Sequence, residues 1–278
     1  AQRIKRAKIA LLGPLVPLNN PVRLAEELAM LDALCDGRLV TLFLRGTPNE
    51  HGTYDTPSDR TRAMTQEGID LILKAWQETE PFAWHGENYQ FSTISIWPRV
   101  QQKPHPMVYG SGNSEESIRF AATRRLGIAF SFAPPEIMKQ WVDLYYRHAA
   151  DAGWTPTPDH IIYRGLAYVA ATDDQANADL AAHFGAKALE QAKIQSGTMG
   201  GPPVVPLILE PYFLGSPETV IERFAALRDC GVGVTDMVFV IGSQDQQIAS
   251  LHLFAERVLP TIHGWDVGQE HLPAAVRG

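Results

Sequence analysis

The stretch Met107-Val108-Tyr109-Gly110-Ser111-Gly112-Asn113-Ser114-Glu115-Glu116-Ser117 is where the chain reveals its architecture. Met107 to Tyr109 is a short apolar run bounded by Pro106 and Gly110, which suits a central strand of a parallel sheet. Gly110 and Gly112 allow a sharp turn and a close backbone approach. Asn113 is placed to cap a helix, with Glu116 three residues on completing a capping box. The helix then runs from Ser114 through Ala122 to about Arg125. Free N–H groups, a positive dipole end and several hydroxyls at its start make an anion site in prospect. Taken alone, the turn reads as an ordinary βα connection, because most helix N-termini bind no ligand. Glu115 and Glu116 oppose a phosphate unless they point away from it.

The same strand-then-helix pattern repeats on both sides. Upstream, Ile9 to Val16 reads as a buried strand, and Asn20-Pro21 as an N-cap followed by Pro at the first helical position. Leu24, Leu28, Leu31 and Leu34 form the stripe of that helix, and Gly37 is expected to end it as its C′ residue. Leu39 to Leu44 is a second apolar strand, with Arg45-Gly46 at its C-terminal end. Residues 46–59 read as a polar loop, residues 60–79 as a helix, and residues 81–106 as an irregular aromatic and proline-rich excursion that could hold short strand pairs.

Downstream, strands are expected at Gly127–Phe132, Ile161–Ala171 and Asp236–Ile241. Helices are expected at Pro135–Ala152, from Thr172 to about Ile194, from Ser216 to near Gly231, and over Gln246–Val258. Residues 196–214, rich in Gly and Pro, read as a long loop, and a loop this long inside a compact domain is more often functional than idle. The tail, residues 264–278, looks irregular. Six βα repeats with no composition break predict a single α/β domain over residues 1–278, either barrel or doubly wound. No G-x-G-x-x-G follows the first strand, which favours the barrel.

Composition narrows the function. The 278 residues are 45% hydrophobic and 20% charged, an ordinary globular balance. A net charge of −7 argues against nucleic acid as a general partner. The two cysteines, Cys35 and Cys230, lie in apolar helical contexts and read as buried thiols. The nine histidines form no H-x-x-x-H pair, so no metal site is expected. Basic residues before Ile9 imitate a signal peptide, but prolines interrupt the apolar run and no cleavage site follows. No apolar run approaches the ~20 residues of a membrane span, so a cytoplasmic location is expected.

Several segments, in this order and spacing, resemble the bacterial luciferase-like flavin monooxygenases. They are Asn20 to Glu27, Leu31-Asp32, Asp36 to Leu39, Leu44-Arg45-Gly46, His85 to Phe91, Gln102 to Pro106, Gly215 to Val220 and Phe254 to Pro260. The resemblance runs from Leu15 through the final helix. It implies a TIM barrel whose first two strands precede the stretch present here. It also implies reduced FMN as cofactor, O2 and a small organic molecule as substrates, and a separate flavin reductase. Part of the same superfamily uses F420 for hydride transfer, which is the alternative; a non-catalytic flavin-binding barrel is a third reading.

By the same resemblance, the flavin phosphate would be held by Arg45 and by Gly112, Asn113, Ser114 and Ser117. Leu12-Gly13 falls where some members carry a cis peptide beside the flavin ring, and residues 196–214 fall where a mobile loop lies. His51, Tyr54 and Tyr109 are near the active face, yet each reads more readily as a packing or loop residue, so no catalytic residue is assigned. A barrel without its first two strands would bare two sheet edges. The chain alone is therefore expected to aggregate or to pair with another copy. An N-terminal extension of roughly 60–80 residues, at ~30 or more per βα unit, would cure this.

Overall fold

The computed structural model describes Ala1, residues 3–183 and residues 212–265. The chain divides into two compact units, Ala1–Ser111 and Gly112–Gly278, and each is taken by itself.

The first unit carries β1 (Ile9–Leu15), α1 (Pro21–Leu34), β2 (Leu39–Leu44), α2 (Pro48–Thr53), α3 (Thr61–Gln77), β3 (Phe82–His85), β4 (Gln90–Ile94) and β5 (Met107–Ser111). β2 pairs in parallel with β1 on one side and β5 on the other. Its residues from Leu39 to Phe43 are buried, as a continuous apolar run between two neighbours should be. β1 departs from expectation. Its residues are exposed or half-buried, with Leu11 39% exposed, because among the described residues β2 is its only strand partner.

Helix α1 starts as its sequence dictates. The Asn20 side chain accepts hydrogen bonds from the Val22 and Arg23 amides at 3.0 and 3.2 Å. It ends one residue away from the expected register. Asp36, not Gly37, takes the C′ place in left-handed backbone (φ 56°). The Asp36 amide reaches Ala33 O at 3.2 Å and the Gly37 amide reaches Asp32 O at 2.9 Å, a Schellman closure. The Trp76 indole of α3 donates to Ala25 O of α1 at 2.9 Å, which locks the two helices together.

Two carboxylates organise the excursion before β5. Asp32 is fully buried and accepts from the Gln101 amide at 2.8 Å, the Gln102 amide at 3.2 Å and Gln102 Nε2 at 2.7 Å. Glu67 accepts from Trp84 Nε1, the Asn88 amide, Asn88 Nδ2 and the Tyr89 amide at 2.7–3.0 Å. Those four bonds fasten the antiparallel β3–β4 hairpin to α3. Desolvation pulls the Glu67 pKa up, but the hydrogen bonds together outweigh it and leave the carboxyl below its usual 4.5. A depressed carboxylate stabilises the fold above its unfolded pKa, and that stability is lost as pH falls through the folded value. Glu67→Gln is expected to flatten the acid limb of stability below about pH 4.5, measured by urea melts across pH. An acid limb as steep as wild type would refute this role.

The second unit carries α4 (Glu115–Thr123), β6 (Gly127–Ser131), α5 (Pro135–Asp151), β7 (Ile161–Val169), α6 (Asp173–His183), β8 (Phe213–Gly215), α7 (Pro217–Asp229), β9 (Val234–Val238) and α8 (Gln244–Leu253). A π-helical turn at Phe254–Val258 and the short α9 (Leu259–Ile262) follow. β7 is the hub. It pairs in parallel with β6 and β9 along its first half and with β8 along its last three residues. β8 was hidden in what the sequence presents as a loop, because three residues carry no periodicity. Asp173 joins it to α7, accepting from the Ser216 amide at 2.7 Å and Thr219 Oγ1 at 2.9 Å.

Helix α5 covers one face of this sheet, with Trp141 stacked on Phe130 of β6 at 5.3 Å. Tyr163 of β7 meets Phe213, which stacks on Phe224 of α7 at 4.5 Å. Cys35 and Cys230 are buried free thiols, as expected, and burial pushes Cys230 up to about 11. Most of the 196–214 loop and all but the first two residues of the 264–278 tail lie outside the described residues.

Candidate functional site

In the first unit, Arg45 directly follows β2, and its side chain is exposed. No hydrogen bond or ion pair engages its guanidinium among the described residues. Its backbone, by contrast, is held firmly. His51 is 2% exposed and places Nε2 3.1 Å from the Arg45 carbonyl and Nδ1 3.2 Å from Ser58 Oγ. A carbonyl can only accept, so Nε2 donates to it, while Nδ1 pairs with the serine hydroxyl. Both ring nitrogens are thus spent on the turn, and His51 is a positioning residue.

Residues 46–59 are not simply a polar loop. Thr47 caps α2 in a reciprocal capping box, with Glu50 accepting from the Thr47 amide at 2.8 Å. The one-turn helix is what brings His51 back under Arg45. Tyr54 is 65% exposed and Tyr109 is buried in β5 at 3% exposure.

In the second unit, the cap of α4 is Ser114 rather than Asn113. Ser114 Oγ accepts from the Ser117 amide at 3.3 Å and lies 3.0 Å from Ser117 Oγ. Asn113 is occupied elsewhere. Its Nδ2 donates to Ser131 O at 3.1 Å and its Oδ1 accepts from the Ser131 amide at 3.4 Å. The amide side chain therefore straps the turn to the end of β6.

Gly112 adopts φ 140°, and a Cβ there would lie 2.5 Å from Ser117 Oγ. Only glycine lets the turn pass this close to the helix. The result is a helix start with two half-buried hydroxyls side by side, while Glu115 and Glu116 are exposed.

Leu12–Gly13 is not a cis bond. The cis bonds among the described residues precede Pro98 and Pro104. A Cβ on Gly13 would meet nothing within 4 Å, so that glycine faces open space. Among the described residues no cluster of His, Cys, Asp and Glu could hold a metal ion, and no helix is long and apolar enough to cross a membrane.

One charged pair escaped the sequence. Arg164 of β7 and Asp236 of β9 meet at 3.2 Å, in register with Ser131 of β6. Strand alternation places residues on a face, but only the pairing reveals which distant strand supplies the neighbour.

The model of the luciferase-like monooxygenase family matches residues 6–233. The alkanal monooxygenase alpha chain of Photobacterium leiognathi is 28% identical over 153 residues, covering 54% of this chain and 43% of that relative. The chain thus matches less than half the length of this curated relative. Among solved structures, a Streptomyces bottropensis monooxygenase superposes with a TM-score of 0.77 at 26% identity, over 94% of this chain and 80% of its own.

Two more distant structures share the fold and show the two cofactors in use. The oxygenating constituent of 3,6-diketocamphane monooxygenase from Pseudomonas putida, in complex with FMN, has a TM-score of 0.70 at 22% identity and covers 91% of this chain and 79% of its own. An F420-dependent secondary alcohol dehydrogenase, holding an F420-acetone adduct, has 0.74 at 18% identity and covers 94% and 81%. The parallel strands, the βα order and these superpositions give the α/β fold of the luciferase-like TIM barrels. With the family model spanning most of its length, the chain belongs to the luciferase-like monooxygenase family.

Proposed function

We propose that the protein is a cytoplasmic flavin-dependent monooxygenase that takes reduced FMN from a separate reductase and uses O2 on a small organic substrate. The observation that carries this reading is the start of α4. Gly112 clears the space, Ser114 and Ser117 present paired hydroxyls, and the helix end adds a positive potential. These groups fit a phosphate monoester. Ser114 and Ser117 would hold it through their hydroxyls, with Asn113 keeping the turn against β6. In the first unit, Arg45 is a separate candidate for a phosphate contact, since its guanidinium fork suits phosphate oxygens and His51 fixes its backbone. Bound there, FMN would supply the redox chemistry, and the surrounding chain would orient it and exclude water.

The competing reading is F420-dependent hydride transfer on the same barrel, supported by the dehydrogenase that shares the fold. Titrating the protein with FMN and F420 in parallel, by quenching of cofactor fluorescence, separates the two. Oxygen uptake with reduced FMN then separates an oxygenase from a binding protein.

Arg45→Ala is expected to weaken FMN binding by about 1.5–3 kcal/mol, the worth of a charge-assisted hydrogen bond. Ser114→Ala and Ser117→Ala should each cost about 0.5–1.5 kcal/mol. Riboflavin, which lacks the phosphate, should bind all three variants as it binds wild type. Unchanged FMN affinity in Arg45→Ala would remove Arg45 from the site.

A further inference from the structure

The sheet of the second unit has two unlike faces. Phe130 and Tyr163 point to the side covered by Trp141 of α5 and by Phe213 and Phe224. Alternation puts Ala129, Ile162, Leu166, Val234 and Val238 on the opposite side, together with Ser131, Arg164 and Asp236. That second face is apolar, with Ala129 and Ile162 already buried at 5% and 3% exposure, and one ion pair is set into it. Every residue of β9 is only half-buried, and the Arg164 and Asp236 side chains keep 39% and 23% of their exposure.

The pair is poorly completed for a structural one. Arg164 Nη1 meets a single oxygen, Asp236 Oδ2, at 3.2 Å, and this is the only polar contact of either side chain among the described residues. Among the described residues, the Nε–Nη2 edge of the guanidinium keeps two parallel donors without a protein acceptor. Beside it the chain is strained. Phe132, immediately after β6, holds left-handed backbone at φ 57°, and its amide donates to the Arg164 carbonyl at 3.0 Å. A bulky residue in that region persists where the surroundings fix it, and such sites cluster at ligand clamps. Further along the same face, Tyr168 donates to Asp179 of α6 at 2.8 Å, which brings a helix over its end.

We infer that Arg164 is a ligand-binding residue that anchors the carboxylate of an apolar acid lying on the floor formed by β6, β7 and β9. Asp236 holds the guanidinium so that its free edge faces the ligand. Two parallel N–H donors match two carboxylate oxygens. A dianionic phosphate is the poorer match, because Asp236 already neutralises the guanidinium. The inference names a substrate class for the proposed oxygenase and to that extent rests on that reading, but the binding it predicts needs no flavin.

The test uses the 278-residue chain without cofactor, with decanoate and 1-decanol as probes, measured by isothermal titration calorimetry and thermal shift. Wild type is expected to bind decanoate about tenfold or more tighter than 1-decanol. Arg164→Met should abolish that preference, and Arg164→Lys should keep only part of it, since an ammonium lacks the fork. Asp236→Asn removes a like charge and should tighten decanoate by about threefold.

A merely structural ion pair would instead lower the melting temperature in these variants and leave the decanoate-to-decanol ratio unchanged, which overturns the inference. So does a wild-type ratio near one. If Arg164→Met weakens FMN but not riboflavin and leaves decanoate untouched, the guanidinium serves the cofactor phosphate and the inference falls. If decanoate discrimination behaves as expected while FMN does not bind, the flavin reading falls and this one stands.

Discussion

Asp32→Ala should destabilise the protein by about 2–4 kcal/mol, the cost of removing a buried side chain that accepts three hydrogen bonds. Asp32 is fully buried at the end of α1 and faces donors from Gln101 and Gln102. Gln102 can fall back on Leu39 O, which it already reaches at 2.9 Å. Among the described residues the two backbone amides have no such second acceptor, and Gln102 is the less exposed of the two residues. The loss falls on the segment that leads into β5. Asp32→Asn should cost less, because one oxygen remains, but its amide nitrogen would confront a donor. Urea denaturation with an unchanged m-value reads both. A loss under about 1 kcal/mol, the average for an unremarkable substitution, would show that water replaces the carboxylate.

Gly112→Ala is the second large effect, about 2–4 kcal/mol of stability from backbone strain and overlap together. At φ 140° an L-residue is strained whatever the space around it. The added methyl would also lie 2.5 Å from Ser117 Oγ and 2.8 Å from Ser117 Cβ. The two causes separate in a double variant. Gly112→Ala with Ser117→Gly removes both overlapping atoms and should recover the steric share, leaving the backbone share. Contacting sites are where additivity fails, so the double variant should be less destabilised than the sum. The same Gly112→Ala change should weaken FMN through the displaced hydroxyls. Thermal melting within error of wild type would mean that the turn can relax, and that glycine is not required there.

Local signals were legible where one residue decides one feature. Asn20 and Ser216 cap the helices their positions announce, because a side chain bonding two or three residues ahead needs no tertiary help. Six of the seven strands in the parallel sheet were found near their observed places, because a parallel strand is mostly a run of apolar residues. What failed was every choice that depended on a distant partner. Asn113 and Ser114 are both good caps, and Ser114 takes the place because Asn113 is drawn to Ser131. The composition of β1 says buried, while its surroundings leave it half open. The six residues of α2 are too few to show a periodicity, and Arg164 and Asp236 are ordinary letters 72 positions apart until β7 and β9 align. The positions of Arg45 and the 112–117 turn could be read from sequence. The support beneath Arg45 could not, since a buried histidine and a loop histidine are written alike.

The asymmetry between β1 and β2 sets how the first unit comes apart. β2 has ladders on both sides and a buried face on each, so separating it dismantles the unit. Among the described residues β1 is held by one ladder, and its side chains are exposed or half-buried. Releasing it forfeits fewer hydrogen bonds and less burial, so it opens at a free energy below that of global unfolding. The first unit is therefore graded in stability from a frayed border to a firm centre. Arg45 and its histidine support sit directly after the firm strand, where the backbone that aims the guanidinium is least disturbed by that fraying.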